Sequence, residues 1–193
     1  MNILCFGDSN TYGYDPRSYL GGRYGEDVRW PALLGALPGI EVTERGENGR
    51  CIPHRDYQLR GAVSELTRGG TVDIITIMLG GNDLMTEPEF FAEDVSERME
   101  DFLLYLRGQT QLQGVELLLI SPPPMQPGQW TTEPRLLGES RRLPGLYAEL
   151  ASRLGLRHLA APSASKSLDF DGVHLTEYGH RLLFEAVREL IAA

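Results

Sequence analysis

The chain has 193 residues, a length that suits one domain, expected here to span 1–193. Its 41% apolar and 23% charged residues are ordinary for a globular protein and exclude disordered and fibrous classes. A net charge of −9 argues against nucleic acid as a partner, because phosphate binding needs clustered Lys and Arg.

Asn2–Phe6 is a short continuous apolar run, the pattern of a buried parallel strand. No basic segment precedes it as in a secretory signal, and no apolar run is long enough to span a bilayer, so a cytoplasmic setting with no membrane partner is expected. Cys5 within this strand reads as a small core residue, and with Cys51 it is too little to make a disulfide framework. A short helix is expected at Pro31–Leu37, a strand at Ile40–Thr43, a second short helix at Tyr57–Arg68 and a strand at Val72–Leu79. Over Pro88–Arg107, Phe91, Val95, Met99, Phe102, Leu103 and Leu106 recur at three- and four-residue steps, which predicts an amphipathic helix, with Thr86 and Glu89 as its capping box. Val115–Ser121 is the next strand. Arg142–Leu154 is a helix with Pro144 near its start or kinking it, and Leu156–Leu159 a short strand. The last helix, Glu177–Ala192, has Thr176 as its cap. This alternation predicts an α/β fold, a sandwich around a parallel sheet. Two long irregular stretches remain, Gly13–Arg29 and Pro122–Glu139, and loops of that length are usually functional or mobile.

In open α/β sheets, ligands bind beyond the carboxyl ends of the strands. Four segments there carry chemistry. Phe6-Gly7-Asp8-Ser9-Asn10 would expose the Ser9 hydroxyl at the sheet edge, although a Ser in this position also serves as a helix cap. Gly46-Glu47-Asn48-Gly49-Arg50 offers a glycine N–H close to a ligand, or is an ordinary loop. Leu79-Gly80-Gly81-Asn82-Asp83 offers an amide donor for an oxyanion, or is a glycine-rich turn with an Asx cap. Asp171-Gly172-Val173-His174 sets a carboxylate three residues before a His, which can orient the imidazole as a base, or is a surface Asp and His. Each pattern alone is common in turns; all four together, each beyond a strand or before the last helix, are not.

On these four blocks the chain resembles the SGNH (GDSL-type) hydrolase family. Ile3-Leu4-Cys5-Phe6-Gly7-Asp8-Ser9, Asp27-Val28-Arg29-Trp30, Ile77-Met78-Leu79-Gly80 and Ser121-Pro122-Pro123-Pro124 make it most similar to the mycobacterial aryl esterase/acyltransferase branch. The resemblance implies a flavodoxin-like three-layer α/β/α fold with about five strands. It implies Ser9 as nucleophile, His174 as base and Asp171 as its orienter, with an oxyanion hole from the Ser9 N–H, the Gly49 N–H and the Asn82 side chain. The chain departs from the family in having Asn10 where Leu is usual and Gly81 where Thr is common. Met125–Glu139 is also shorter and differently composed. Asn10 and Trp130 are assigned to substrate contact, while Trp30 reads as core.

The expected activity is hydrolysis of small carboxylic esters, with acyl transfer to an alcohol as a variation. A carbohydrate O-acetyl esterase, a lysophospholipase and a non-catalytic flavodoxin-like binding module are the alternatives. His54, His158 and His180 lack metal-ligand spacing, and Asp169 with Asp171 is too little for a cation site, so no metal or cofactor is expected. Asp8 is read as a turn brace, and Arg29 and Arg50 as ion-pair partners rather than substrate contacts. The two irregular stretches and Trp130 are where a homo-oligomer would make its contact.

Overall fold

Along β1 (Asn2–Gly7) the side chains alternate between two apolar layers, Leu4 and Phe6 in one, Ile3 and Cys5 in the other. The same alternation runs along β3 (Ile74–Met78) and β4 (Glu116–Ser121), so each central strand is buried on both faces. The computed structural model describes residues 1–192. Two outer strands, β2 (Glu41–Gly46) and β5 (Arg157–Ala160), complete a five-stranded sheet of order β2-β1-β3-β4-β5, parallel at every pairing.

Helices cover both faces. The first core lies beneath α3 (Asp56–Leu66), α5 (Ala92–Arg107) and α6 (Pro134–Leu154). The second lies beneath α2 (Trp30–Gly35) and α7 (Glu177–Ala192). Two short helices, α1 (Ser9–Tyr12) and α4 (Gly81–Thr86), follow directly from β1 and β3. This is the three-layer sandwich expected. None of the helices is long and apolar enough to cross a membrane among the described residues.

Three expectations need correction. Thr86 and Glu89 do not cap the long helix. Thr86 is the last residue of α4, and its hydroxyl donates to the Asn82 carbonyl one turn back. The long helix begins only at Ala92, where the Asp94 carboxylate accepts from the Phe91 N–H at 2.8 Å. Helix α6 starts eight residues earlier than expected, with Pro134 in its first turn, and it runs through Pro144. Pro144 forfeits one helical hydrogen bond, but Leu143 and Tyr147 on either side are fully buried, and their packing holds the helix together. Both cysteines are free.

The strand order reverses between β1 and β3, since the chain leaves β1 for β2 and returns to the other side of β1. That switch point opens a crevice at the carboxyl ends of β1 and β3, and α1 and α4 start inside it.

Candidate active site

Ser9 is the first residue of α1. Asp8 precedes it in extended conformation, and its Oδ1 accepts from the Asn10 N–H at 2.9 Å, the brace expected of it. Burial pushes the Asp8 carboxyl up to about 6; the hydrogen bond from Asn10 and the nearby His174 pull the other way.

His174 reaches the crevice from the loop before α7. Its Nε2 lies 2.9 Å from the Ser9 Oγ, and its Nδ1 lies 2.6 Å from Asp171 Oδ2. The other Asp171 oxygen accepts from the Val173 and His174 N–H groups at 2.9 and 3.0 Å, so a single carboxylate folds the loop and holds the ring. An ionised Asp171 accepts only; it selects the imidazole tautomer with a proton on Nδ1 and leaves Nε2 to accept from the Ser9 hydroxyl. Burial works against the Asp171 charge, but the hydrogen bonds from the imidazole and the two backbone groups outweigh it and hold the carboxyl below its ordinary value. All three side chains are buried, which strengthens each of these contacts relative to water.

Ser9 and Gly49 line one cleft together with His174. Neither the Ser9 nor the Gly49 N–H finds a hydrogen-bond partner among the described residues. Gly49 has φ +75°, a conformation that favours glycine, and it sits in the loop after β2. That loop is fastened from below. The fully buried Asp83 accepts from the Ile52 N–H at 3.0 Å and from Arg98 Nη1 at 2.8 Å. Asn82 completes the set from α4. Its Nδ2 donates to the Arg50 carbonyl at 3.1 Å and, over a longer 3.5 Å, to Asp8 Oδ2. Gly80, with φ +118°, makes the turn from β3 into α4, and its Cα faces Tyr147, Val95 and Leu143 with no room for a Cβ.

A cleft of about 220 Å3 lies over Ser9, walled by Tyr14, Asn48, Gly49, Asn82, Met85, Trp130 and Val173. Tyr14 and Trp130 flank the base, with ring centroids 4.6 and 5.2 Å from that of His174. The structure thus brings together Ser9, Gly49, Asn82, Trp130, Asp171 and His174. It does not bring Asn10 into the cleft. That side chain is buried, with its amide donating to the Val173 carbonyl at 3.1 Å and its oxygen accepting from the Leu175 N–H at 2.8 Å. Both polar groups are used inside the protein, so the substrate-contact assignment of Asn10 is withdrawn.

Tyr14, Met85 and Arg98 were not singled out from the sequence, and Asp83 was quoted only as the end of the Asn82 block. Tyr14 and Met85 lie near the Ser9 and Asn82 blocks in sequence; nothing in the sequence pointed to Arg98. Arg29 pairs with Glu44, and Arg50 with Glu47 and Glu65, as expected of ion-pair residues. His54 is exposed, His158 bonds Ser121, and His180 is buried in the second core's layer with its Nε2 unpartnered. Trp30 is fully buried, its indole N–H donating to the Asn10 carbonyl at 3.1 Å.

At the switch point of this parallel sheet Ser9, His174 and Asp171 form one hydrogen-bonded array, an arrangement of the kind serine ester hydrolases use. The GDSL-like Lipase/Acylhydrolase family matches over residues 5–182, and the chain belongs to that family. Among solved structures it is similar to the inhibitor-bound aryl esterase of M. smegmatis at 27% identity and TM-score 0.86, covering 99% of this chain and 98% of that one. A carbohydrate acetylesterase family member from Sinorhizobium meliloti is 26% identical with TM-score 0.84, covering 98% of this chain and 96% of that one. A comparison with curated protein sequences finds no match.

Proposed function

We propose that the protein hydrolyses small carboxylic esters through an acyl-enzyme on Ser9, and the observation that carries this is the unbroken run Ser9 Oγ, His174, Asp171 at 2.9 and 2.6 Å. His174 Nε2 takes the Ser9 proton as Oγ attacks the ester carbonyl. The carbonyl oxygen becomes an oxyanion held by the Ser9 and Gly49 N–H groups and the Asn82 amide. Asp171 stabilises the imidazolium, which returns the proton to the leaving alcohol as the C–O bond breaks. Water, deprotonated by the same nitrogen, then attacks the acyl-enzyme and releases the acid.

The small cleft, about 220 Å3, supports a short acyl group as the preferred one. Its Tyr14, Met85, Trp130 and Val173 walls favour an apolar alcohol over water near the acyl-enzyme, which supports acyl transfer as a side reaction. A second reading, de-acetylation of a carbohydrate, is favoured by the likeness to a carbohydrate acetylesterase family member. The test is a panel of short-chain aryl esters, long-chain esters and acetylated saccharides against wild type and Ser9→Ala. Short aryl esters are expected to turn over fastest, with a loss of about a millionfold in the variant. A preference for saccharides would select the second reading, and equal rates for both proteins would refute catalysis by Ser9.

A further inference from the structure

Ser9 and His174 are 165 residues apart in sequence and are carried by different elements, α1 and the loop before α7. The His174 loop is held by its own bonds and by neighbours: Arg17 pairs with Asp169 at 2.8 Å, and the Gln126, Gln129 and Trp130 N–H groups donate to the Gly172, Phe170 and Asp171 carbonyls. Asp171 Oδ1 binds two of its N–H groups, the Asp169 N–H donates to the His174 carbonyl, and Leu168 bridges Leu175. None of these bonds joins that loop to α1 itself. Apart from the Ser9–His174 contact, the only hydrogen bonds between α1 and the loop among the described residues come from the Asn10 side chain. Its amide donates to the Val173 carbonyl and its oxygen accepts from the Leu175 N–H, the residues immediately before and after the base. Asn10 is itself held. Its N–H donates to Asp8, and its carbonyl accepts the indole N–H of the fully buried Trp30.

We infer that Asn10 is a positioning residue that clamps the peptide on both sides of His174 and so sets the reach from base to nucleophile. The inference rests on the reading of Ser9 and His174 as nucleophile and base. A planar amide is the one side chain of this size with a donor and an acceptor side by side, the pair that a C=O and an N–H two residues apart require. Leu at this position has neither. A misplacement of about 1 Å at a reacting group costs about a hundredfold in rate, so the clamp acts chiefly on kcat, with a smaller effect on KM through Val173, the one cleft wall it holds.

The test measures kcat and KM on p-nitrophenyl acetate for wild type, Ser9→Ala, Asn10→Leu and Asn10→Asp. Active sites are counted by covalent labelling with a fluorophosphonate, and the downfield NMR resonance of the Asp171–His174 proton is recorded. The expected result is a fall of about a hundredfold in kcat per labelled site for Asn10→Leu, with KM within a few-fold. Asn10→Asp, which keeps the acceptor for Leu175, should fall in between, and the downfield resonance should persist in both. If Asn10→Leu does not fold, Asn10→Asp is judged alone, on a loss of about tenfold or more. Unchanged kcat per labelled site, or loss of the resonance together with activity, would overturn the clamp while the catalytic reading stands. Wild type no faster than Ser9→Ala would instead sink the catalytic reading on which the clamp depends.

Discussion

His180 lies fully buried on α7 with its Nδ1 accepting, at 3.5 Å, from the Trp30 N–H and its Nε2 without a partner. Burial drives its imidazole from an ordinary 6.5 down to about 3, with Arg29 and His174 adding repulsion. Between those values the unfolded chain binds a proton that the native protein refuses, so stability rises with pH across the window and is lost as pH falls toward 3. The full displacement corresponds to about 5 kcal/mol, or about 1.4 kcal/mol for each pH interval of one. Asp8 acts with the opposite sign. Its folded value of about 6 lies above the ordinary 3.8, so the native protein holds the extra proton there and stability falls as pH rises from 3.8 to about 6. The two slopes oppose each other in wild type, which should therefore show little pH dependence from these groups between about 4 and 6. His180→Gln keeps an acceptor for the Trp30 N–H and removes the titration, leaving Asp8 uncovered. Urea unfolding followed by circular dichroism from pH 4 to pH 7 measures the difference, in which every other titrating group cancels. Relative to wild type, the variant should gain about 3 kcal/mol on going from pH 6.5 to pH 4. A difference that stays constant across that range would refute the assignment of a neutral, proton-refusing imidazole to position 180.

Asp171→Asn preserves shape but no longer selects the tautomer that leaves Nε2 free; kcat should fall by about ten thousandfold with little change in thermal midpoint, read by ester turnover and calorimetry. Asn82→Ala removes one oxyanion donor and should lower kcat by about a hundred- to a thousandfold with KM nearly unchanged, measured by steady-state kinetics. Gly80→Ala adds a Cβ at φ +118°, 3.0 Å from Val95 Cγ1 and 3.2 Å from Leu143 Cδ2. It should cost about 2–3 kcal/mol in urea unfolding, and a variant as stable as wild type would show that this turn relaxes freely.

The central strands were legible because a strand buried on both faces is written as a continuous apolar run, as in Ile74–Met78 and Leu117–Ile120. The long helix was legible in its interior and misread at its start. A capping box is a three-residue spacing, and Thr86–Glu89 satisfies that spacing although Thr86 ends α4 and Glu89 lies in the turn before α5. The start of α6 was missed because Pro134–Arg141 is largely polar; its helical state comes from Leu136 and Ser140 packing inward and from Pro134 in the first turn.

Ser9, Asp171 and His174 could be named because four blocks occur together and carry a family resemblance, although each block alone also reads as an ordinary turn or cap. What Asn10 does could not be read in the same way. Its sequence neighbour is Ser9, which suggested contact with a substrate, whereas both its polar groups turn toward residues 173 and 175. Of the aromatic walls, Trp130 was assigned to substrate contact from the sequence, and Tyr14 was not. Tyr14 and Trp130 sit in irregular stretches with no periodicity, and only the closing of the sheet brings both against one imidazole. Local sequence therefore determined which groups are available and which strands carry them to the crevice, because backbone preferences and apolar patterning act over a few residues. The distances between those groups were decided by tertiary packing, because a hydrogen bond across 165 residues exists only once the layers that carry its two ends have closed on each other.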